Sequence, residues 1–332
     1  MRQKHKLLIG LAALTVLWPS ILTPASAREL KAAIQFGLAY LPMMIIQEDR
    51  LLEIESRKHG LEETKLALIR LSGSAAINDA LLSGNVDMGV MGTPSLLILW
   101  DKTRGAYKGL AGMSSIPMVL NTINPDIKSL ADFTPSHRIA LPATTAPQAM
   151  ILRMAVEKQF GASEYKRLDT NIVSMPHPEA LAALLAGTEV TAHFTNLPFS
   201  VIEAQDKRVK RLLSSHDLLG VQATFVLLVA SSKFVDANPE IADAIVASVD
   251  EAMRRIAADP RRAAEVYLKN EPSKMTVDFV EGLIKDPENA FRIEPTGIMA
   301  YAAALTRWGQ IKSGPKGWKE LVFSVLHDRQ GN

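Results

Sequence analysis

Four short turns carry the residues best suited to hold a small polar ligand: Ser72-Gly73-Ser74, Thr93-Pro94-Ser95, Thr144-Thr145-Ala146-Pro147 and Thr195-Asn196. Each falls where a strand-like run hands over to a helix-like one. Hydroxyls and free backbone N–H groups there sit in the positive end of the helix dipole, which attracts anions. The turns contain no Asp or Glu, which disfavours a cationic ligand. They contain no Arg or Lys either, so a charged carboxylate has no bidentate clamp. A small oxyanion or a polar heterocycle held by amides and hydroxyls fits. Any one turn is explained by ordinary N-capping; the argument rests on four of them.

Patterns for catalysis are missing. The chain has no G-x-S-x-G, H-E-x-x-H, P-loop or G-x-G-x-x-G segment. It has no cysteine, which excludes thiol chemistry, Cys-ligated zinc and iron–sulfur clusters. His177-Pro178-Glu179 and His216-Asp217 are isolated pairs without metal-ligand spacing, read as a solvated helix start and a loop. His193 reads as a packed histidine. No catalytic residue, metal or cofactor is expected.

The elements that position the turns are legible as an internal echo. Ala80-Leu81-Leu82-Ser83-Gly84 returns as Ala183-Leu184-Leu185-Ala186-Gly187. A strand-like run and a hydroxyl turn beside a proline follow each copy, Thr93-Pro94 and Thr195-Asn196-Leu197-Pro198. Two lobes built alike are implied, with Thr93 and Thr195 facing one another across a cleft. Strands are predicted at 32–36, 65–71, 86–91, 138–141, 171–175 and 190–194. Helices are predicted from Pro42 through Ile54 and at 75–82, 95–100, 147–160 and 178–185. This alternation predicts mostly parallel α/β sheets. Residues 112–122 and 221–231 read as strands crossing between lobes, so the first lobe is discontinuous. The division is 28–120 plus 225–332 for one lobe and 121–224 for the other. The end of the chain reads as helical, with a helix opened by Asn238-Pro239, ended by Asp259-Pro260, and later N-caps at Thr276 and Thr296. Met43, Met44, Met88, Met91, Met113 and Met118 read as core filler, while Phe36, Tyr40 and Trp100 are candidates for a stacking wall.

The N-terminus predicts export. Arg2, Lys4, His5 and Lys6 precede an apolar run from Leu7 to Trp18, then Pro19, Pro24 and the small-residue site Ala25-Ser26-Ala27. The run is shorter than the roughly 20 residues a membrane span needs. Residues 1–27 read as a cleaved Sec signal peptide, with no twin arginine and no lipid-bearing cysteine. Removing them takes away Arg2, Lys4 and Lys6 and no acidic side chain, which turns a formal charge of +2 into about −1. With no basic surplus, nucleic acid is not an expected partner. A periplasmic chain without disulfides must draw its stability from burial.

Residues 71–94, LSGSAAINDALLSGNVDMGVMGTP, resemble the cassette shared by periplasmic substrate-binding proteins of the nitrate/sulfonate/taurine ABC transporters. So do Phe36-Gly37-Leu38-Ala39-Tyr40-Leu41-Pro42 and Thr191-Ala192-His193-Phe194-Thr195-Asn196. The resemblance covers essentially the whole mature chain. It implies a type II periplasmic-binding fold, two α/β lobes joined by a two-strand hinge and closing on ligand. Its members bind nitrate, alkanesulfonates, aromatic carboxylates or thiamine-pyrimidine precursors. It implies ligand contacts at Phe36, Tyr40, Ser72, Gly73, Ser74, Thr93, Ser115, Thr144, Thr145, Thr195 and Asn196. Implied partners are a small-molecule ligand, an ABC permease and its ATPase, with membrane contact only through the permease and a monomeric carrier. A sensory or adaptor module is the alternative. An enzyme of the thiamine-pyrimidine synthase type is a lesser one, because those enzymes use a cysteine-rich segment.

Overall fold

A computed structural model describes residues 28–332 of the chain. The expected signal peptide lies outside the described residues. From Arg28 the chain forms β1 (Arg28–Ile34), α1 (Leu41–Glu48), α2 (Leu51–Lys58), β2 (Thr64–Arg70), α3 (Ser74–Leu82), β3 (Met88–Gly92), α4 (Thr93–Lys102) and β4 (Tyr107–Ser114). It then crosses into β5 (Val119–Thr122), β6 (Ile139–Leu141), α5 (Pro147–Phe160), β7 (Ile172–Ser174), α6 (His177–Ala186), β8 (Ala192–Thr195), α7 (Phe199–Ala204), β9 (Lys210–Ser214) and α8 (Ser215–Leu219). A second crossing returns it to β10 (Val226–Ser231), α9 (Ser232–Ala237), α10 (Pro239–Ala258), α11 (Pro260–Asn270), α12 (Val277–Lys285) and α13 (Ile298–Arg307).

The strands make two five-stranded sheets of the same design, β2-β1-β3-β10-β4 and β7-β6-β8-β5-β9. In each, three strands run parallel, and the strand arriving from the other lobe lies antiparallel beside the third. Four strands of each sheet share one direction, as the expected mostly parallel arrangement requires, and the exchanged strand, β10 or β5, runs against its two neighbours. The sequence echo lands on equivalent places. Leu81 and Leu184 are buried on α3 and α6, and Gly84 and Gly187 follow those helices with φ of 73° and 64°, a backbone that glycine adopts without strain. The strands that come next, β3 and β8, hold the same position in their sheets.

The core lies between each sheet and its helices. The six methionines read as filler are all buried, as expected. The single helix expected from Pro42 through Ile54 is two. Asp49 is drawn in toward Arg255 of α10, at 2.6 Å, and Arg262 of α11, and Arg50 turns left-handed at φ 54° to restart the chain. The crossing strand expected at 112–122 is broken at residues 115–118, because Pro117 cannot donate to a ladder. Asp259 ends α10 and also caps α11, accepting from Arg262 N–H at 3.0 Å with Pro260 in the first turn. Thr276 caps α12 as expected, but the N-cap of α13 is Gly297; the Thr296 hydroxyl donates to Gln222 C=O instead.

Candidate functional site

The expected turns meet in pairs where the lobes touch. The first-strand turn meets Asn196 and Leu197. Leu38 N–H donates to Leu197 C=O at 3.0 Å, and a Cβ on Gly37 would lie 2.8 Å from Asn196 Oδ1. Gly37 has φ 115°, so both its backbone and this close approach require glycine. Gly73 faces Pro142, whose carbonyl oxygen is 3.6 Å from its Cβ position, beside Thr144 and Thr145. The start of α4 packs on the start of α5. Ser95 Oγ donates to Thr145 C=O at 2.9 Å, and a Cβ on Gly92 would come within 1.9 Å of Pro147 Cγ.

Three helices of eight or more residues therefore start at this junction. Their N-caps are Gly73 for α3, Gly92 for α4 and Ala146 for α5, and none makes a side-chain cap. By contrast α9, α11 and α12 are capped by Ser231, Asp259 and Thr276. The hydroxyls of the turns are not capping groups, so the simplest explanation for them is removed. Uncapped helix starts keep the dipole's positive potential, although the Thr93 N–H is taken by Phe225 C=O and Pro94 and Pro147 have none to give.

The expected residues differ in their engagement. Thr93 is buried; its hydroxyl donates to Thr224 C=O at 2.8 Å and its N–H to Phe225 C=O at 3.2 Å, which ties α4 to the second crossing segment. Ser72 and Thr144 are exposed, Thr145 is half-buried, and Ser74, Ser115, Thr195 and Asn196 are buried. Thr195 Oγ1 reaches only the neighbouring Asn196 C=O, at 3.3 Å. Tyr40 is buried and its phenol is held well above its ordinary pKa by burial and then by Glu271. Phe36 is half-buried under the Arg70 guanidinium, 5.2 Å from the ring centre. Trp100 is near the far end of α4, its indole donating to Glu320 C=O at 3.2 Å, away from these turns.

Sequence reasoning missed Glu271 and Arg70. Glu271 follows α11 and accepts the Gly37 N–H, at 2.9 and 3.2 Å, along with the Tyr267 hydroxyl at 2.9 Å and Arg70 at 2.7 Å. It holds the first-strand turn from outside the local sequence. Arg153, whose Nη1 lies 3.4 Å from Thr144 C=O, is paired with Asp169 at 2.9 Å. Both arginines beside the turns are thus neutralised by carboxylates. A cavity of about 340 Å³ opens beside Phe36, lined by Pro178, Phe199, Tyr267 and Met275 among others.

His177 corrects the sequence reading most sharply. It begins a helix, as expected, but it is buried rather than solvated. Its Nδ1 lies 2.8 Å from His193 Nε2, and His193 Nδ1 lies 2.5 Å from Glu203 Oε1. Asn121 Nδ2 donates to Glu203 Oε2 at 2.9 Å. At the other end, His177 Nε2 meets the amide groups of Gln148 at 3.3 Å and Asn196 at 3.4 Å. Burial pushes Glu203 up to about 8 and His193 down to about 3. Burial and then His193 push His177 well below its ordinary value. Gln148 Oε1, Asn196 Oδ1, Ser114 Oγ and Ser115 Oγ are among the buried polar atoms with no protein partner. Natural interiors satisfy nearly all such atoms; a turn of either carboxamide would bring its oxygen to His177 Nε2, whereas the Ser114 and Ser115 hydroxyls at the crossing segment are left for an outside partner. Among the described residues no group of three or more His, Asp or Glu side chains could hold a metal ion.

A model of the NMT1-like family matches residues 37–268. No curated protein matches the chain. Among solved structures it is similar to the alkanesulfonate-binding protein SsuA from Xanthomonas axonopodis pv. citri bound to MOPS. That likeness has a TM-score of 0.69 at 16% identity over 93% of this chain and 100% of that one. The periplasmic nitrate-binding protein NrtA from Synechocystis PCC 6803 gives 0.69 at 15% identity over 87% and 83%. The periplasmic aliphatic sulphonate binding protein SsuA from Escherichia coli gives 0.65 at 16% identity over 90% and 93%. At these identities the likeness is one of fold, the two-lobed fold of the periplasmic binding proteins. On the family match across most of its length, the chain belongs to the NMT1-like family.

Proposed function

We propose that this chain is the extracytoplasmic solute-binding component of an ABC importer. It captures a small anionic or polar organic ligand, of the sulfonate, nitrate or taurine class, between its lobes and delivers it to a permease driven by an ATPase. The observation that carries this reading is the meeting of three uncapped helix starts from two lobes around buried polar atoms without partners. Amides and hydroxyls from both sides hold the ligand at Ser72, Gly73, Ser74, Ser115, Thr144, Thr145, Thr195 and Asn196, against Phe36 and Tyr40, while Thr93, its hydroxyl and N–H held by Thr224 and Phe225, fixes the start of α4. The cavity beside Phe36 would receive an apolar portion, which favours an organic anion.

The lobes divide near the expected 28–120 plus 225–332 and 121–224, with Val119 and Leu120 going to the second lobe as part of β5 and bending in the crossing segments 115–118 and 220–225. The open and closed forms differ by contacts that only a ligand touching both lobes can make, so binding moves the population toward closure. The chain is a monomeric carrier without catalysis, exported to the periplasm by cleavage after Ala27. The described residues contain no helix long and apolar enough to cross a membrane. A sensor module with the same cleft is the alternative, and partner capture separates the two.

Thermal unfolding of the mature chain with sulfonates, nitrate, bicarbonate, aromatic acids and pyrimidines tests this reading. A true ligand at 100 times its Kd adds roughly 2.7 kcal/mol. Stabilisation by one class supports the proposal, and no shift from any member contradicts it.

A further inference from the structure

The buried chain Asn121–Glu203–His193–His177 ends on two carboxamides, Gln148 on the first turn of α5 and Asn196 at the Gly37 turn. With both imidazoles kept neutral by burial, a carboxyl, two imidazoles and two amides in a row can be hydrogen-bonded in two self-consistent ways. In one, Glu203 is ionised. His193 Nδ1–H donates to the carboxylate, His177 Nδ1–H donates to His193 Nε2, and His177 Nε2 accepts an amide N–H. The amide oxygens then point away from the ring, which leaves Gln148 Oε1 and Asn196 Oδ1 without partners.

In the other, Glu203 carries a proton. Oε2 already accepts from Asn121, so the proton lies on Oε1 and is donated to His193 Nδ1. His193 then donates from Nε2 to His177 Nδ1, and His177 donates from Nε2 to the amides. Any amide nitrogen facing that N–H would set hydrogen against hydrogen, so both carboxamides turn end for end. Both partnerless oxygens then share the His177 Nε2–H, and the NH₂ groups take the places the oxygens held, that of Asn196 beside the Gly37 turn where the lobes meet. This arrangement also leaves no net charge in a site where Glu203 and His193 are wholly buried.

We propose that Glu203, His193 and His177 form a proton-holding relay that turns the N–H groups of Gln148 and Asn196 toward the cleft, so that the site selects an anion and binds it with a proton held on the relay. This rests on the solute-binding reading above and adds a cause for charge selection that the turns, lacking Arg and Lys, do not contain. The three are positioning residues that act through the carboxamides. The groups facing Glu203 are few. Asn121 comes from β5, His193 from β8 and His177 from α6. Glu179 on α6 is exposed, and Arg211 on β9 is paired outward with Asp217 at 3.0 Å. With Glu203 held up to about 8, the donor arrangement dominates at neutral pH and gives way to the acceptor arrangement above it. By linkage, anion binding above that point takes up one proton.

The test reads imidazole tautomers by ¹⁵N NMR of the ligand-free mature chain from pH 5 to 9.5. Both rings should stay neutral through pH 6.5, then exchange their N–H between Nε2 and Nδ1 near pH 8. In Glu203→Gln, whose amide can donate to His193 Nδ1 at every pH, that step should vanish. An imidazolium forming near pH 6.5 in both rings, or no tautomer exchange, overturns the relay whether or not the solute-binding reading stands. Nitrate and methanesulfonate then serve as probes. Whichever binds should bind about ten-fold more weakly at pH 9 than at pH 7, as one linked proton with a pKa near 8 requires, and without pH dependence in Glu203→Gln. Binding that ignores pH beside an intact tautomer switch, or failure of both anions to bind, overturns the coupling to an anion.

Discussion

Thr93 and Thr144 bring the same side chain to neighbouring turns and should fail differently when changed. The Thr93 hydroxyl is buried on Thr224 C=O, so Thr93→Val strands that carbonyl and should cost about 1–3 kcal/mol in chemical denaturation. Thr144 is exposed, so Thr144→Val should leave stability within about 0.5 kcal/mol and weaken the ligand roughly three- to ten-fold, the worth of one hydrogen bond. The buried relay gives a pH signature in stability. Its histidines are depressed in the folded chain, so stability is lost as pH falls below 6.5, where unfolded histidine gains a proton. Glu203 is raised to about 8, so its contribution is lost as pH rises from 4.5 to about 8, where the unfolded carboxyl is ionised and the folded one is not. Between 4.5 and 6.5 the two histidines outweigh one carboxyl, which puts the relay's optimum near pH 6.5. Urea midpoints should fall above pH 6.5 in the native chain but not in Glu203→Gln.

At the scale of elements, the strand-to-helix turns were legible because glycine, proline and hydroxyl residues mark them locally. What was not legible depends on residues far apart in the chain. Glu271 reaches Gly37 from the end of α11, and His177 is buried only because α7 and β8 close over it. Pattern also failed where polar residues carry structure. Strand β9 begins Lys210-Arg211 because it is an edge strand with its charges in water, and α11 was hidden behind a proline that reads as a stop yet opens a helix. The junction of α4 and α5 offers a test at this scale. Gly92 has ordinary extended φ and ψ of −67° and 148°, so Gly92→Ala is unstrained within its own lobe. Its Cβ would strike Pro147 in the other lobe. The variant should fold normally by circular dichroism and lose at least ten-fold in affinity, because the lobes can no longer reach their closest approach.

At the scale of the molecule, two sheets of one design exchange a strand each, and their helix starts converge where the halves meet. On the proposed function, that symmetry would let turns without charged residues receive an anion, because helix starts from both halves bring the dipole's positive end to the junction. Outside the turns the two lobes are also joined by the Arg307–Glu157 pair, at 2.7 Å, and by Tyr165 stacked on Trp308 with ring centres 4.8 Å apart. Small-angle X-ray scattering of the mature chain, alone and with the compound that raises its melting temperature, tests capture by closure most directly. The account predicts a smaller radius of gyration with that compound in the native chain and no such change in Gly92→Ala. A radius unaltered by saturating compound in the native chain, with both samples matching an open form, would contradict it.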